Sequence, residues 1–278
     1  EIARFWPRHI PDTLAEKWMT ERLSAGTYTG ITGRVGLNAN ADGTLPYPQE
    51  VDVAFAFTDM DIAYANPLTP VTQVTGRGQM TGKAMDLNVD RGIVGDMQVT
   101  SGTLAFDDLI TTGAGEGDIN LAMNGPVPSV FDYLSGDPIN ATDDLPFDVG
   151  QTDGQADMTV RIRFPTVADL LVEDVKVTAE AELTDLLIPD VIRGLPLSGG
   201  PFALSATTEH YKLTGSGRLG DTPVTLEWEE YFSPQPEADF LSRVNAKLTA
   251  DADIRERFGS DPYSWITGVS QVDVTYTE

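Results

Sequence analysis

The sequence lacks cysteine and contains only two histidines. Without cysteine, no disulfide, thiolate metal site or thiol nucleophile can form. The histidines, His9 and His210, lie far apart in the sequence and outside any metal-binding spacing, whereas a metal or acid–base centre needs several such groups to converge. We therefore expect no metal, no cofactor and no enzymatic activity.

Basic residues are also scarce, since 18 lysines and arginines face 43 aspartates and glutamates, for a net charge of −25. Such a surface repels nucleic-acid phosphates and anionic lipid headgroups. We expect no nucleic-acid partner, and we interpret the charge mainly as a means of keeping a β-rich protein from associating through its strand edges.

Long hydrophobic runs are absent as well. No stretch approaches the roughly 18 consecutive apolar residues of a membrane-spanning helix, and no signal peptide is visible. The sequence starts at Glu1 and stops at Glu278, directly after a strand pattern. We expect it to be a piece of a longer protein whose membrane anchor lies outside the sequence.

What the sequence does contain is an internal repeat. Thr58-Asp59-Met60 returns as Thr184-Asp185-Leu186, and Gly95-Asp96 returns as Gly220-Asp221, at offsets of 126 and 125 residues. A fixed period of this kind indicates repeated structural units. We predict a first helix-plus-sheet repeat at residues 1–125, a second at 126–250 and the start of a third at 251–278.

Each predicted repeat begins with a short helical patch, at residues 14–19, 130–134 and 254–259. The first patch belongs to the segment 5–26, in which we expect an amphipathic helix with Asp12 as its N-cap and a glycine stop at Gly26. An acidic, proline-rich stretch at 136–154 predicts a long loop or flexible joint.

Between the patches, apolar residues alternate with polar ones, which is typical of strands with one buried face. Gly or Asp recurs at intervals of roughly ten residues, which favours antiparallel meanders. The predicted fold is mostly β, with repeated meanders forming an extended curved sheet or groove. The predicted strands are 27–39, 51–58, 62–64, 76–80, 85–89, 97–99, 104–106, 119–123, 158–164, 175–183, 202–206, 211–213, 224–228, 244–248 and 269–276.

The apolar side of this sheet needs a cover that three short helices cannot supply, because apolar surface in water costs about 25 cal/mol per Å². Closure into a barrel, stacking as a sandwich or a trough filled by ligand would each provide one. Repetition favours the trough. Its candidate apolar groove residues are Val53, Phe55, Phe57, Val177, Ala179 and Leu204, which fit a dry protein core equally well.

Five stretches carry a resemblance to a known family: Trp18 to Thr27, Gly33-Arg34-Val35, Phe55 to Tyr64 with Pro67 and Pro70 after it, Leu213 to Val224, and Leu226-Glu227-Trp228. They resemble the AsmA-like family, in particular its YhdP-type members. In that family a Trp-containing helix that ends in Gly precedes a strand, and an alternating strand containing Asp and Tyr runs toward a proline.

The resemblance implies a periplasmic segment of an envelope protein of Gram-negative bacteria, tethered to the inner membrane in the full-length protein. It also implies transport of phospholipid between the inner and outer membranes, or outer-membrane maintenance, with acyl chains as the partner and no catalytic residues. The alternative is a β-sandwich binding or structural module that acts through its exterior surface.

Two further motifs have structural explanations. Residues 38–44 resemble the start of a calcium loop but lack its final carboxylate, and a hairpin turn explains them better. The Gly-x-Gly pairs at Gly76, Gly115 and Gly215 lack a following helix, so they are interpreted as strand ends and bulges and not as phosphate-binding loops.

Overall fold

A computed structural model describes residues 21–36, 50–63, 68–108, 115–137, 139, 141–142, 145, 147–167, 170–234, 238–258, 265 and 267–277. The helix predicted at 14–19 and the turn predicted at 38–44 lie outside these residues, as do His9, Tyr64 and Pro67.

The described strands form one antiparallel sheet in which every strand pairs with its neighbours in the sequence. The predicted mostly-β meander is confirmed. The strands are β1 Leu23–Gly36, β2 Glu50–Ile62, β3 Val71–Thr81, β4 Ala84–Val94, β5 Met97–Phe106, β6 Glu116–Pro126, β7 Asp153–Pro165, β8 Lys176–Ile192, β9 Leu195–Thr207, β10 His210–Leu219, β11 Thr222–Tyr231, β12 Ser242–Ala250 and β13 Ser270–Thr277.

Two short α-helices accompany the described strands, α1 at Val127–Ser135 and α2 at Ala252–Arg257, with 3-10 turns at Val149–Gln151 and Val172–Asp174. The chain divides into two compact units. The first comprises Glu1–Asn124, Gly136–Pro138 and Thr159–Val177, and the second comprises Gly125–Ser135, Ile139–Met158 and Thr178–Glu278.

Equivalent irregularities recur where the sequence repeats. Asp59 in β2 and Asp185 in β8 both adopt a left-handed backbone, with φ of 54° and 50°. At Asp59 the pairing with the next strand also shifts register, whereas the pairing of β8 with β9 keeps its register across Asp185. The turn residues Gly95 and Gly220 share a φ of 58°. The repeated tripeptides therefore mark matching left-handed backbone positions, while the predicted boundaries at 125 and 250 stay a prediction.

Gly26 corrects the predicted end of the first helix. It lies inside β1, which already begins at Leu23, and is not a helix stop. A Cβ at Gly26 would come within 2.8 Å of the Cα of Met60. Gly154 of β7 has the equivalent position, where a Cβ would lie 2.9 Å from the Cα of Leu186. Both glycines are required by close approach of two strands.

Three strand predictions are also corrected. Ile62 ends β2 and does not open a separate strand at 62–64. The strands predicted at 97–99 and 104–106 form the single strand β5, in which a register shift between Val99 and Ser101 interrupts the alternation that the prediction relied on. Strand β9 begins at Leu195, well before the predicted start at 202.

The second unit has a continuous apolar core. Phe202 is fully buried at 0% exposure, and Leu186 and Leu197 are nearly so. Helix α1 contributes Val127 to this core and α2 contributes Ile254. Each helix thus covers part of the apolar side of the sheet, and the shortness of both helices limits how much they cover.

Replacing Gly154 with alanine should destabilise the second unit. Its φ of +126° is disfavoured for an L-residue, and the new Cβ would press on Leu186 and on the carbonyl oxygen of Thr184 at 3.0 Å. We expect the free energy of unfolding to fall by about 3 kcal/mol, measured by urea denaturation. Gly150→Ala, whose Cβ would meet only Asp148 at 3.3 Å, is the control. Equal stability of the two variants would contradict this account.

Candidate functional site

The candidate site is the apolar face of the sheet. On β2, Val53 and Phe55 are half-buried and Phe57 is buried. On β8, Val177 and Ala179 are half-buried and point to one side because they are two residues apart. Leu204 of β9 is half-buried and packs at the margin of the core of the second unit. Whether these six residues line a ligand surface stays a prediction.

Phenylalanine rings lie over glycines of the neighbouring strand on this face. Phe55 pairs with Gly78, and Phe57 pairs with Gly76. A Cβ at Gly78 would come within 2.5 Å of the Phe55 ring, and one at Gly76 would come within 2.7 Å of the Phe57 ring. Gly76-x-Gly78 is not a strand end, because both glycines lie within β3 and make room for rings. The predicted bulge is found at Gly76, next to which the register with β4 shifts.

Gly215-x-Gly217 of β10 has the same role, and its register with β9 also shifts between the two glycines. The ring of Phe202 would lie 2.6 Å from a Cβ at either position. Gly117 of β6 likewise accommodates Phe164 of β7. Rings that lie across glycines take up the space that side chains of both strands would otherwise share.

One charged residue lies on this otherwise apolar face. In β11, Val224, Leu226 and Trp228 alternate along the buried side, and Glu230 continues the alternation. The register confirms this placement, because Glu230 is opposite Tyr211 in β10 and Ser242 in β12, two residues from the inward pairs of Trp228. No other acidic or basic side chain is directed to this face by the described strands.

Three side chains donate hydrogen bonds to the same carboxylate oxygen, Oε2 of Glu230. The Tyr211 hydroxyl and the Trp228 Nε1–H donate at 3.0 Å, and the Ser242 hydroxyl donates at 3.5 Å. Sequence reasoning missed Glu230, although the alternation through Trp228 already placed it among the inward positions.

An aromatic row extends from this carboxylate. Tyr211 contacts Trp228 and Phe232, with ring centroids 5.7 and 6.0 Å apart. Trp228 in turn contacts Phe147, which contacts Phe131 of α1. Phe232, at the outer end of the row, is 52% exposed. The row connects the helix-covered core with solvent.

The opposite face is polar and carries ion pairs across neighbouring strands. Arg161 forms a two-point pair with Asp118, with Nε–Oδ1 and Nη2–Oδ2 distances of 2.9 and 2.5 Å. This hydrogen bonding lowers the pKa of Asp118. Lys212 contacts Glu227 at 2.8 Å, which raises the pKa of Lys212. Exposed pairs of this kind add little stability.

The described residues include no group of three or more His, Asp or Glu suited to a metal ion. His210 contacts Thr207 through Nδ1 at 3.0 Å and stacks on Tyr231.

An open depression is lined by Leu145, Phe147, Asp148, Gln151, Pro189 and Asp190. Its aspartates already accept local bonds, Asp148 from Gln151 and Asp190 from the Gly194 amide.

Comparison with known proteins adds no relative to this description: no family model, curated protein or solved structure matches the chain. Among the described helices, none combines the length and apolarity needed to cross a bilayer.

Replacing Gly78 with alanine should destabilise the first unit by about 2 kcal/mol, because the methyl group would overpack Phe55 and Leu87. The obstructing atoms all belong to side chains, so the substitution should be much less harmful in a Phe55→Ala background. A double-mutant cycle measured by urea denaturation gives the coupling.

Gly76→Ala with Phe57→Ala is the matched control pair. The Cβ that Gly76→Ala adds would clash with the backbone carbonyl of Asn88. Removal of the Phe57 ring cannot relieve that clash. Additive effects of Gly78→Ala and Phe55→Ala would contradict the ring-over-glycine packing.

The stability of the second unit should depend on Tyr211 at alkaline pH. Burial, followed by the charge of Glu230 and the hydrogen bond to it, raises the pKa of Tyr211 well above its usual value of 10.0. Above about pH 10 a tyrosine in the unfolded chain ionises, while Tyr211 in the folded protein stays protonated. The contribution of Tyr211 to the free energy of unfolding is therefore intact below pH 10 and declines above it. Tyr211→Phe should flatten this decline between pH 10 and 11. Parallel pH profiles for the two proteins would contradict the assignment.

Proposed function

We propose that this protein is a non-enzymatic periplasmic segment of an AsmA-like envelope protein, tethered to the inner membrane in its full-length form. Its apolar sheet face takes up phospholipid acyl chains during transport between the inner and outer membranes or during maintenance of the outer membrane. The proposal rests on the resemblance in sequence and on the incomplete burial of the apolar face.

The single observation that carries the proposal is the half-buried state of inward apolar residues on β2, β8 and β9. Val53, Val177 and Leu204 belong to strands on which some other inward residues, such as Met60 and Leu186, are fully buried. Water contact at the half-buried positions is unfavourable by about 25 cal/mol per Å². A hydrocarbon chain relieves this contact without requiring any specific polar group.

The packing of rings over glycines suits the same use. Because Phe55 lies across Gly78 of β3, its ring presents a face along the sheet. Tyr28 of β1 meets Phe55 edge-on, with ring centroids 5.6 Å apart. A smooth aromatic and aliphatic surface accommodates flexible chains of varied length, since dispersion contacts are non-directional.

The alternative is a binding or structural module that acts through its exterior surface. The described strands belong to one sheet, so a two-sheet sandwich is not seen among them. An outer-face cluster favours an exterior role nonetheless: Tyr231 contacts His210 and Phe240, and the Arg243 guanidinium lies 3.7 Å from the centre of the Phe240 ring. Such aromatic and arginine clusters are common at protein interfaces.

Lipid binding is tested by native mass spectrometry of the protein after bacterial expression and by uptake of a fluorescent fatty acid. Val177→Glu places a charge on the apolar face and should reduce uptake at least several-fold. Thr178→Glu is the matched control, since the adjacent Thr178 is exposed on the other face of β8, and it should leave uptake unchanged.

Absence of both co-purified lipid and fatty-acid uptake would refute the groove. An equal loss of fatty-acid uptake in Val177→Glu and Thr178→Glu, with folding intact by circular dichroism, would show that uptake does not depend on the apolar face. Loss of a protein partner on substitution of Phe240 or Tyr231, with lipid uptake absent, would favour the exterior alternative.

A further inference from the structure

The position of Glu230 sets it apart from the other acidic residues of the described strands. Those carboxylates lie on the polar face, at turns or at bulges, whereas Glu230 is directed to the apolar side near the end of β11. None of the ion pairs in the described part of the chain includes Glu230. A half-buried carboxylate without a cationic partner is unfavourable in an apolar setting.

The three donors at Glu230 do not account for a charge at this position. Tyr211, Trp228 and Ser242 all donate to Oε2, and a neutral glutamine oxygen could accept the same bonds. Within the described residues the other oxygen, Oε1, receives no hydrogen bond. The donors therefore fix the orientation of the carboxylate and leave one charged oxygen available.

The surroundings define the chemistry of a complementary group. Tyr211 and Trp228 place aromatic rings beside the carboxylate, and the solvent-exposed Phe232 contacts the ring of Tyr211. Aromatic faces and an anionic oxygen together favour a cation. A primary ammonium can donate a hydrogen bond to Oε1, whereas a quaternary ammonium cannot. The inward side of the described strands presents no lysine or arginine that would favour an anionic head group.

We propose that Glu230 binds the ammonium group of an ethanolamine-type phospholipid whose acyl chains lie on the adjoining apolar face. The inference rests on the proposed lipid-binding function and adds the head-group class to it. Glu230 is the next-to-last residue of β11, so the lipid phosphate remains at the solvent end of the strand. Leu226 and Val224 continue the apolar face inward from Trp228.

The test uses two single-chain amphiphiles, dodecylphosphoethanolamine and dodecylphosphocholine, which differ only in methylation of the ammonium group. Isothermal titration below their micelle concentrations should show tighter binding of the ethanolamine form to the wild-type protein by about tenfold, the factor equivalent to about 1.4 kcal/mol. Glu230→Gln should remove this preference, because it weakens binding of the ethanolamine form more than binding of the choline form. Glu229→Gln changes the preceding residue, which lies on the opposite face, and should keep the preference for the ethanolamine form.

Each outcome decides a separate point. Equal affinity of the wild-type protein for both amphiphiles would overturn the head-group site and leave acyl-chain binding standing. A preference that persists in Glu230→Gln would overturn the role of Glu230. Binding of neither amphiphile would overturn both proposals. If Glu230→Gln fails to fold by circular dichroism, the wild-type ratio alone decides, with a ratio near one counting against the site.

Discussion

Packing of aromatic rings over glycines of the adjacent strand is the interaction on which the apolar layer depends. In the first unit, Phe57 lies over Gly76. The equivalent pair in the second unit is Leu183 and Phe202, and the ring of Phe202 lies over Gly215 one strand further on. Each ring therefore fills the space that the glycine leaves on the neighbouring strand.

Alternation of apolar and polar residues was sufficient to predict an antiparallel meander, because antiparallel sheets with one buried face impose it on every strand. It failed where the period is broken. The register shift after Val99 divided β5 in the prediction, and Gly26 was interpreted as a helix stop because close approach to Met60 leaves no local signal. Interruptions of this kind depend on a partner strand that local sequence does not identify.

The candidate site was predictable in part. Val53, Phe55 and Phe57 follow directly from the period of β2, but the burial that separates Phe57 from the other two depends on packing against β3. Glu230 is not among the predicted site residues, because the predicted strand ends at Trp228, although the alternation through Trp228 places Glu230 on the inward side. Residue type and strand periodicity disagree at that position, and such disagreement is common at functional sites.

The bulge at Asp59 has a consequence for how this sheet can change over evolutionary time. Phe57 and Met60 are three residues apart in β2 yet point the same way, while their partners Gly76 and Val74 in β3 are only two residues apart. Loss of one residue at this bulge would restore strict alternation in β2 without moving the rest of the strand to the other face. Strand β2 thus contains a point at which its length can vary while its apolar side chains keep their orientation.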